Sequence, residues 1–175
     1  MSKKEQKIAK QAELSPKERT FFWYYFLIHI PITIFIDASV IIPSNWQVGS
    51  TIVSWHIQQN NDFLLWEKPL WLKICVFFEL VSQLPLFFYF LKRLNEKYYE
   101  NARLIDRKRL NKWLFRYGLI ASATTFYCLY EIAKRGHYPF LGSDETLVPL
   151  SNADKLKLIG VYLPTFLIPL RLLLL

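Results

Sequence analysis

The chain has 175 residues, 53% hydrophobic and 17% aromatic, with 22 Lys and Arg against 14 Asp and Glu for a net charge of +8. So much apolar surface beside so much positive charge argues against a soluble globular domain of this length. The two kinds of residue must be segregated along the chain.

A basic segment, residues 1–19, comes first, with Lys3, Lys4, Lys7, Lys10, Lys17 and Arg19. Within it, Ser15-Pro16-Lys17-Glu18 predicts a helix start, with Ser15 as cap, Pro16 at the first helical position and Glu18 reaching back. The remaining 20–175 holds four apolar runs: Phe21 to Ile42, Leu70 to Leu91, Trp113 to Ile132 and Leu156 to Leu175. Each is about 20 residues, enough at about 1.5 Å per residue to cross a hydrocarbon core of about 30 Å. The first is too long for a signal-peptide core and no convincing cleavage site follows it, so it is expected to remain as an anchor. The predicted fold is all-α, a polytopic membrane protein built as a four-transmembrane-helix bundle.

The connections set its orientation. Pro43 to Pro69 carries Lys68 as its sole Lys or Arg, whereas Lys92 to Lys112 carries eight. The third connection is less clean, with Lys134, Arg135 and Lys155. Because Lys and Arg accumulate in short cytosolic loops, both termini are expected in the cytosol and the first and third connections on the lumenal or external side. In the first lumenal loop, Trp46, Trp55, His56, Phe63 and Trp66 predict folding onto the bundle, with an interfacial aromatic belt as the alternative. Gly136 to Asp154 reads as a shorter loop, with Ser151 to Asp154 capping the last helix.

Topology explains the basic surplus more simply than nucleic-acid binding, and attraction to anionic lipid headgroups fits it better. Cys75 and Cys128 lie inside spans and read as small core residues; no Cys/His spacing suits zinc, so neither metal nor cofactor is expected. Pro31, Pro85, Pro164 and Pro169 also lie inside spans, where kinks can open a cavity.

The informative residues are acids within the apolar runs. Asp37 lies five residues, about 7.5 Å, inside the lumenal edge, and Glu79 lies nine residues, about 13 Å, below the same edge. Approaching from antiparallel helices, the two side chains could meet. Two carboxylates in low dielectric cannot both ionise cheaply, so one would hold a proton. Such a pair suits anchoring a cationic ligand, relaying a proton, or giving and taking protons in an isomerisation. The plainer alternative is an interfacial Asp37 reaching for water and a structural Glu79. Gln83 follows Glu79 by four residues and Thr33 precedes Asp37 by four, adding polar neighbours on the same faces. Asp62 reads equally as a helix cap. His29, about two turns from Asp37 but displaced roughly 80°, reads as a core residue.

The stretches "HIPITIFID", "DFLLWEKPLWLKICVFFELVSQLP" and "GVYLPTFLIP" resemble the sigma-2 receptor group of EXPERA-domain membrane proteins, related to emopamil-binding protein, the sterol double-bond isomerase. The resemblance covers all four spans and the first lumenal connection. It implies a four-helix protein of the endoplasmic reticulum membrane, often a homodimer, with a pocket reached from the bilayer for sterols, other lipids or cationic amphiphiles. It implies ligand-binding roles for Asp37 and Glu79, and carries Asp62, Gln83, Thr125 and Tyr162 into the same site. Thr165 departs from a family tyrosine. Thr33 departs from the isomerase histidine one turn before the first acid, which favours binding over catalysis. The reading is therefore a lipid or amine binder in sterol homeostasis or trafficking. The alternatives are a factor of the reticulum surface aiding delivery of mitochondrial precursor proteins, which the resemblance to fungal relatives implies, and a sterol isomerase.

Overall fold

The structure is a computed structural model that describes residues 13–143 and 146–175. Lys3, Lys4, Lys7 and Lys10 of the expected basic segment lie outside the described residues.

Helix α1, Pro16–Phe35, begins as the sequence predicts. Ser15 Oγ accepts from the Glu18 amide at 3.3 Å, and Glu18 Oε2 accepts from the Ser15 amide at 2.8 Å. Pro31 lies inside the helix without ending it. After Phe35 the winding changes, and Asp37–Val40 forms a 3-10 turn. The first apolar run is thus an α-helix followed by a tighter turn that starts on the acid.

The first connection folds into α2, Ser50–Asn60, and α3, Phe63–Glu67. It packs onto the bundle as expected, but through Val53, Ile57, Phe63, Leu64 and Leu65, all buried. Trp46, Trp55 and Trp66 stay more than half exposed, so the tryptophans are not what packs the connection onto the bundle. Indoles carry an N–H that favours the wet interface, whereas aliphatic side chains lose nothing by full burial.

The second apolar run forms α4, Leu70–Phe78, a π-helical segment, Glu79–Gln83, and α5, Leu84–Leu94. Pro85 has no amide to offer the carbonyl four residues back, so regular α winding fails just before it. The wider turn lets the Leu84 amide bond instead to the Glu79 carbonyl. The basic connection contains a short helix α6, Glu96–Glu100, before α7, Leu104–Arg135. At 32 residues α7 is about 48 Å long.

Residues expected as a plain loop form an antiparallel hairpin, β1 His137–Ser143 and β2 Thr146–Pro149, beside the helical bundle. Gly142 permits it: its φ is +101°, and a Cβ there would lie 2.1 Å from the Thr146 carbonyl oxygen. Ser151 then caps α8, Asn152–Leu170, accepting from the Asp154 amide at 3.1 Å, and Arg171–Leu174 adds a 3-10 turn.

Among the described residues, three stretches are long and apolar enough to cross a membrane: Pro16–Val40, Leu70–Leu94 and Asn152–Leu174. The protein is a helical membrane protein. Helix α1 packs mainly on α5, and α7 on α8. The α7–α8 approach is close at Gly118, where a Cβ would lie 2.6 Å from the Pro169 carbonyl oxygen. Pro169 deprives the Thr165 carbonyl of its helical donor, and the Thr125 hydroxyl donates to that carbonyl from α7 at 3.5 Å. One turn earlier on α7, Ser122 donates to the next carbonyl of α8, that of Phe166, at 3.3 Å. Glu18 and Arg171 form an ion pair at 2.6 Å, so the start of α1 and the end of α8 lie together.

Candidate functional site

A cavity of about 260 Å³ opens where α1, the α4–π–α5 helix, α7 and α8 converge. Its walls are largely apolar, with Ile32, Val40, Leu65, Leu72 and Val76 among them. The 3-10 turn brings Asp37 into this cavity and the π segment brings Glu79 and Gln83. Each acid therefore stands at an irregularity in its helix, where widened or tightened winding turns a side chain inward.

The two acids come together with His29. One ligating atom from each of His29, Asp37 and Glu79 lies within 4.8 Å of the others. His29 Nε2 is 3.8 Å from Glu79 Oε1, and the Thr33 hydroxyl donates to the same oxygen at 2.9 Å. Thr33 is fully buried, so its hydroxyl fixes Glu79 from a rigid position. His29 was read from the sequence as a core residue apart from Asp37. Its displacement around α1 does not separate it from the site, because Glu79 enters from the facing helix and reaches it. Only the contact with α4 and its π continuation reveals this.

Aromatic rings close one side of the cluster. Tyr25 stacks on His29 at 5.2 Å between ring centres, and its hydroxyl lies 3.0 Å from that of Tyr117 on α7. Tyr25 and Tyr117 both line the cavity, and no motif in the sequence marked either. Cys75 and Cys128 line it as free thiols.

Of the remaining predicted site residues, Gln83, Thr125 and Tyr162 line the same cavity. Asp62 is fully buried outside the lining set, where it caps α3, accepting from the Leu65 amide at 3.1 Å. Its other oxygen accepts from the Tyr162 hydroxyl at 2.9 Å and lies 3.3 Å from His56 Nε2. Tyr162 and His56 face the cavity, so Asp62 stands behind two lining side chains and sets their positions. Thr165 lines the wall where a larger family side chain was noted, and its hydroxyl donates to the Tyr162 carbonyl at 2.7 Å.

Chemically, two carboxylates and an imidazole in an apolar cavity can receive an ammonium group or accept hydrogen bonds from a hydroxyl. The same donors could also ligate a divalent cation. The apolar walls suit a hydrophobic ligand body.

The EXPERA (EXPanded EBP superfamily) family profile matches residues 48–174. That range includes Glu79 and the last two long helices but begins after Asp37. A protein of Saccharomyces cerevisiae, efficient mitochondria targeting-associated protein 19, is 49% identical over 164 residues, covering 91% of this chain and 98% of its own length. Human sigma intracellular receptor 2 is 32% identical over 158 residues, covering 85% of this chain and 81% of the receptor. The receptor of Xenopus tropicalis is 28% identical over 158 residues, covering 87% and 84% respectively. The chain belongs to the EXPERA family.

Proposed function

We propose that the protein is a membrane receptor for a sterol or related lipid, held in the cavity between the helices with its polar group at Asp37 and Glu79. The observation that carries this reading is the convergence of His29, Asp37 and Glu79 on one largely apolar cavity. Cationic amphiphiles are ligands of the same site, their ammonium lying between the two carboxylates. The likeness to sigma intracellular receptor 2 supports this assignment.

The membrane is that of the endoplasmic reticulum, and the chain crosses it four times with both termini cytosolic. The Glu18–Arg171 ion pair supports the even count. Three crossings alone would separate these residues by the bilayer, so α7 is the fourth. Lys17, Arg19 and the basic connection lie at the same end as this pair, as the distribution of positive charge requires.

Binding of a radiolabelled hydrophobic amine and of a sterol to purified wild-type protein, Asp37→Asn and Glu79→Gln tests the site. Amine binding should fall at least about tenfold in both variants, with sterol competing in the wild type. Affinity unchanged in both variants would make the acids structural.

A second reading is delivery of mitochondrial precursor proteins from the reticulum surface, favoured by the 49% identity to efficient mitochondria targeting-associated protein 19. It places the activity on the basic connection. Neutralising Lys92 to Lys112 should then impair delivery while leaving amine binding intact. A sterol isomerase would need turnover that Glu79→Gln abolishes; His29 supplies, in space, an imidazole beside the pair that Thr33 does not.

A further inference from the structure

At the basic end of the bundle, away from the cavity, Arg19 is only 8% exposed although it carries a fixed charge. Among the described residues its Nε and Nη1 have no hydrogen-bond partner. The guanidinium lies 4.1 Å from the ring centre of Tyr99 on α6. The guanidinium of Arg107, from the first turn of α7, lies 4.8 Å from the same ring. Arg107 Nε and the Tyr99 hydroxyl are likewise buried without a partner among the described residues. Two cations thus share one aromatic ring, and neither is in an ion pair among the described residues. Arg107 Nη2 donates to the Glu100 carbonyl at 3.3 Å. Cation–π contact offsets part of the cost of burying the two cations, but it leaves the Nε of each, and Nη1 of Arg19, without an acceptor.

Among the described residues no neighbouring acid pairs with either arginine. Glu13 is near enough to Tyr99 to add to the upward push that burial gives its hydroxyl's pKa, but it forms no ion pair with Arg19 or Arg107. Glu18 is engaged by Arg171 and Asp106 by Arg103. Glu96 lines the cavity beside Arg19 but makes no ion pair with it. Residues 1–12 contain four lysines and one glutamate, so that segment adds positive charge.

Arg19 opens onto a cavity of about 370 Å³ that Lys17, Thr20, Trp23, Tyr24 and Asn95 also line. A second groove, of about 1080 Å³, shares Trp23 and Asn95 with it and adds Lys92, Lys97 and Arg103. We propose that this pair of cavities is a binding site for the headgroup of an anionic phospholipid, whose phosphate is taken by Arg19 and the bases around it.

Position favours a lipid over a free phosphate. Arg19 stands in the first turn of a membrane-crossing helix, and the exposed rings of Phe21 and Tyr24 follow it at the level where aromatic side chains meet the headgroup region. Basic pockets between helices at this level bind acidic lipid headgroups. A planar guanidinium takes phosphate oxygens in a paired fashion that a surface lysine cannot match. The site is independent of the sterol or amine cavity, so either assignment can fail alone.

The full chain, purified in mild detergent, would be titrated with phosphatidylinositol, phosphatidylcholine and inorganic phosphate, reading retained lipid by native mass spectrometry and stabilisation by thermal unfolding. Phosphatidylinositol should be retained about tenfold more than phosphatidylcholine, and Arg19→Gln and Lys17→Gln should each lose most of that preference. Lys108→Gln, at an exposed position that lines neither cavity, should keep it. Lys17 is exposed where it lines the cavity with Arg19, so Lys17→Gln carries the test if Arg19→Gln fails to fold. Equal retention in Lys17→Gln and Lys108→Gln would reduce the effect to general surface charge and overturn the site. Stabilisation by inorganic phosphate matching that by phosphatidylinositol, or displacement of the lipid by polyglutamate at equal charge, would overturn the lipid assignment.

Discussion

Thr33 donates its hydroxyl to Glu79 Oε1 across 2.9 Å, joining the first and second apolar runs at the polar centre of the cavity. Replacing this hydroxyl by a methyl group in Thr33→Val keeps the side-chain volume and removes the donor. The expected result is a roughly tenfold loss of amine affinity, about 1.4 kcal/mol, because Glu79 is no longer held in place. Equilibrium binding on the purified variant would decide it, and wild-type affinity would mean that Glu79 is positioned by packing alone.

Asp37 and Asp62 should separate cleanly when binding and stability are measured side by side. Asp62 is fully buried and takes the Leu65 amide and the Tyr162 hydroxyl, so Asp62→Ala should lower stability by at least about 2 kcal/mol. Asp37→Asn should abolish amine binding with a change below about 1 kcal/mol. Thermal and denaturant unfolding in detergent gives one axis and ligand binding the other. A ligand-specific loss for Asp62→Ala at unchanged stability would move that acid into direct ligand contact.

Gly118 and Gly160 give a matched pair of substitutions. A Cβ on Gly118 would lie 2.6 Å from the Pro169 carbonyl oxygen and 2.9 Å from Leu172 Cβ, so Gly118→Ala must force α7 and α8 apart. A loss of about 1 to 3 kcal/mol is expected. Gly160 has nothing within 4 Å of the added carbon, and Gly160→Ala should gain about 0.5 to 1 kcal/mol from helix propensity. Equal melting temperatures for the two variants would contradict the close α7–α8 approach.

Pro85→Ala restores an amide where the π segment ends. The second run could then wind as one α-helix, rotating Glu79 and Gln83 relative to the cavity. Amine affinity should fall while the unfolding midpoint stays level or rises. Retained affinity together with a raised midpoint would show that the irregular turn is not needed to present the acids.

How much of this was legible beforehand differs from residue to residue. Ser15, Pro16 and Glu18 specify the start of α1 through bonds that span three residues, so local chemistry sufficed. The apolar runs likewise identify a helical membrane protein, since crossing a hydrocarbon layer depends on length and composition. The depth argument also anticipated that Asp37 and Glu79 could meet, because antiparallel helices of known rise have predictable levels. His29 is buried as a core residue should be, but its place beside Asp37 and Glu79 was missed for the complementary reason: its partner comes from another helix, and periodicity along α1 carries no information about that helix.

The burial of Phe63 to Leu65 in place of the tryptophans, the hairpin after α7, and the sharing of Tyr99 by Arg19 and Arg107 were likewise decided by contacts between distant segments. By itself the sequence determined the membrane class, the first helix boundary and the levels of the two acids, all of which follow from local propensity and linear spacing. Tertiary structure alone decided which side chains share a cavity and which cations lack partners, because packing joins groups that the chain holds far apart.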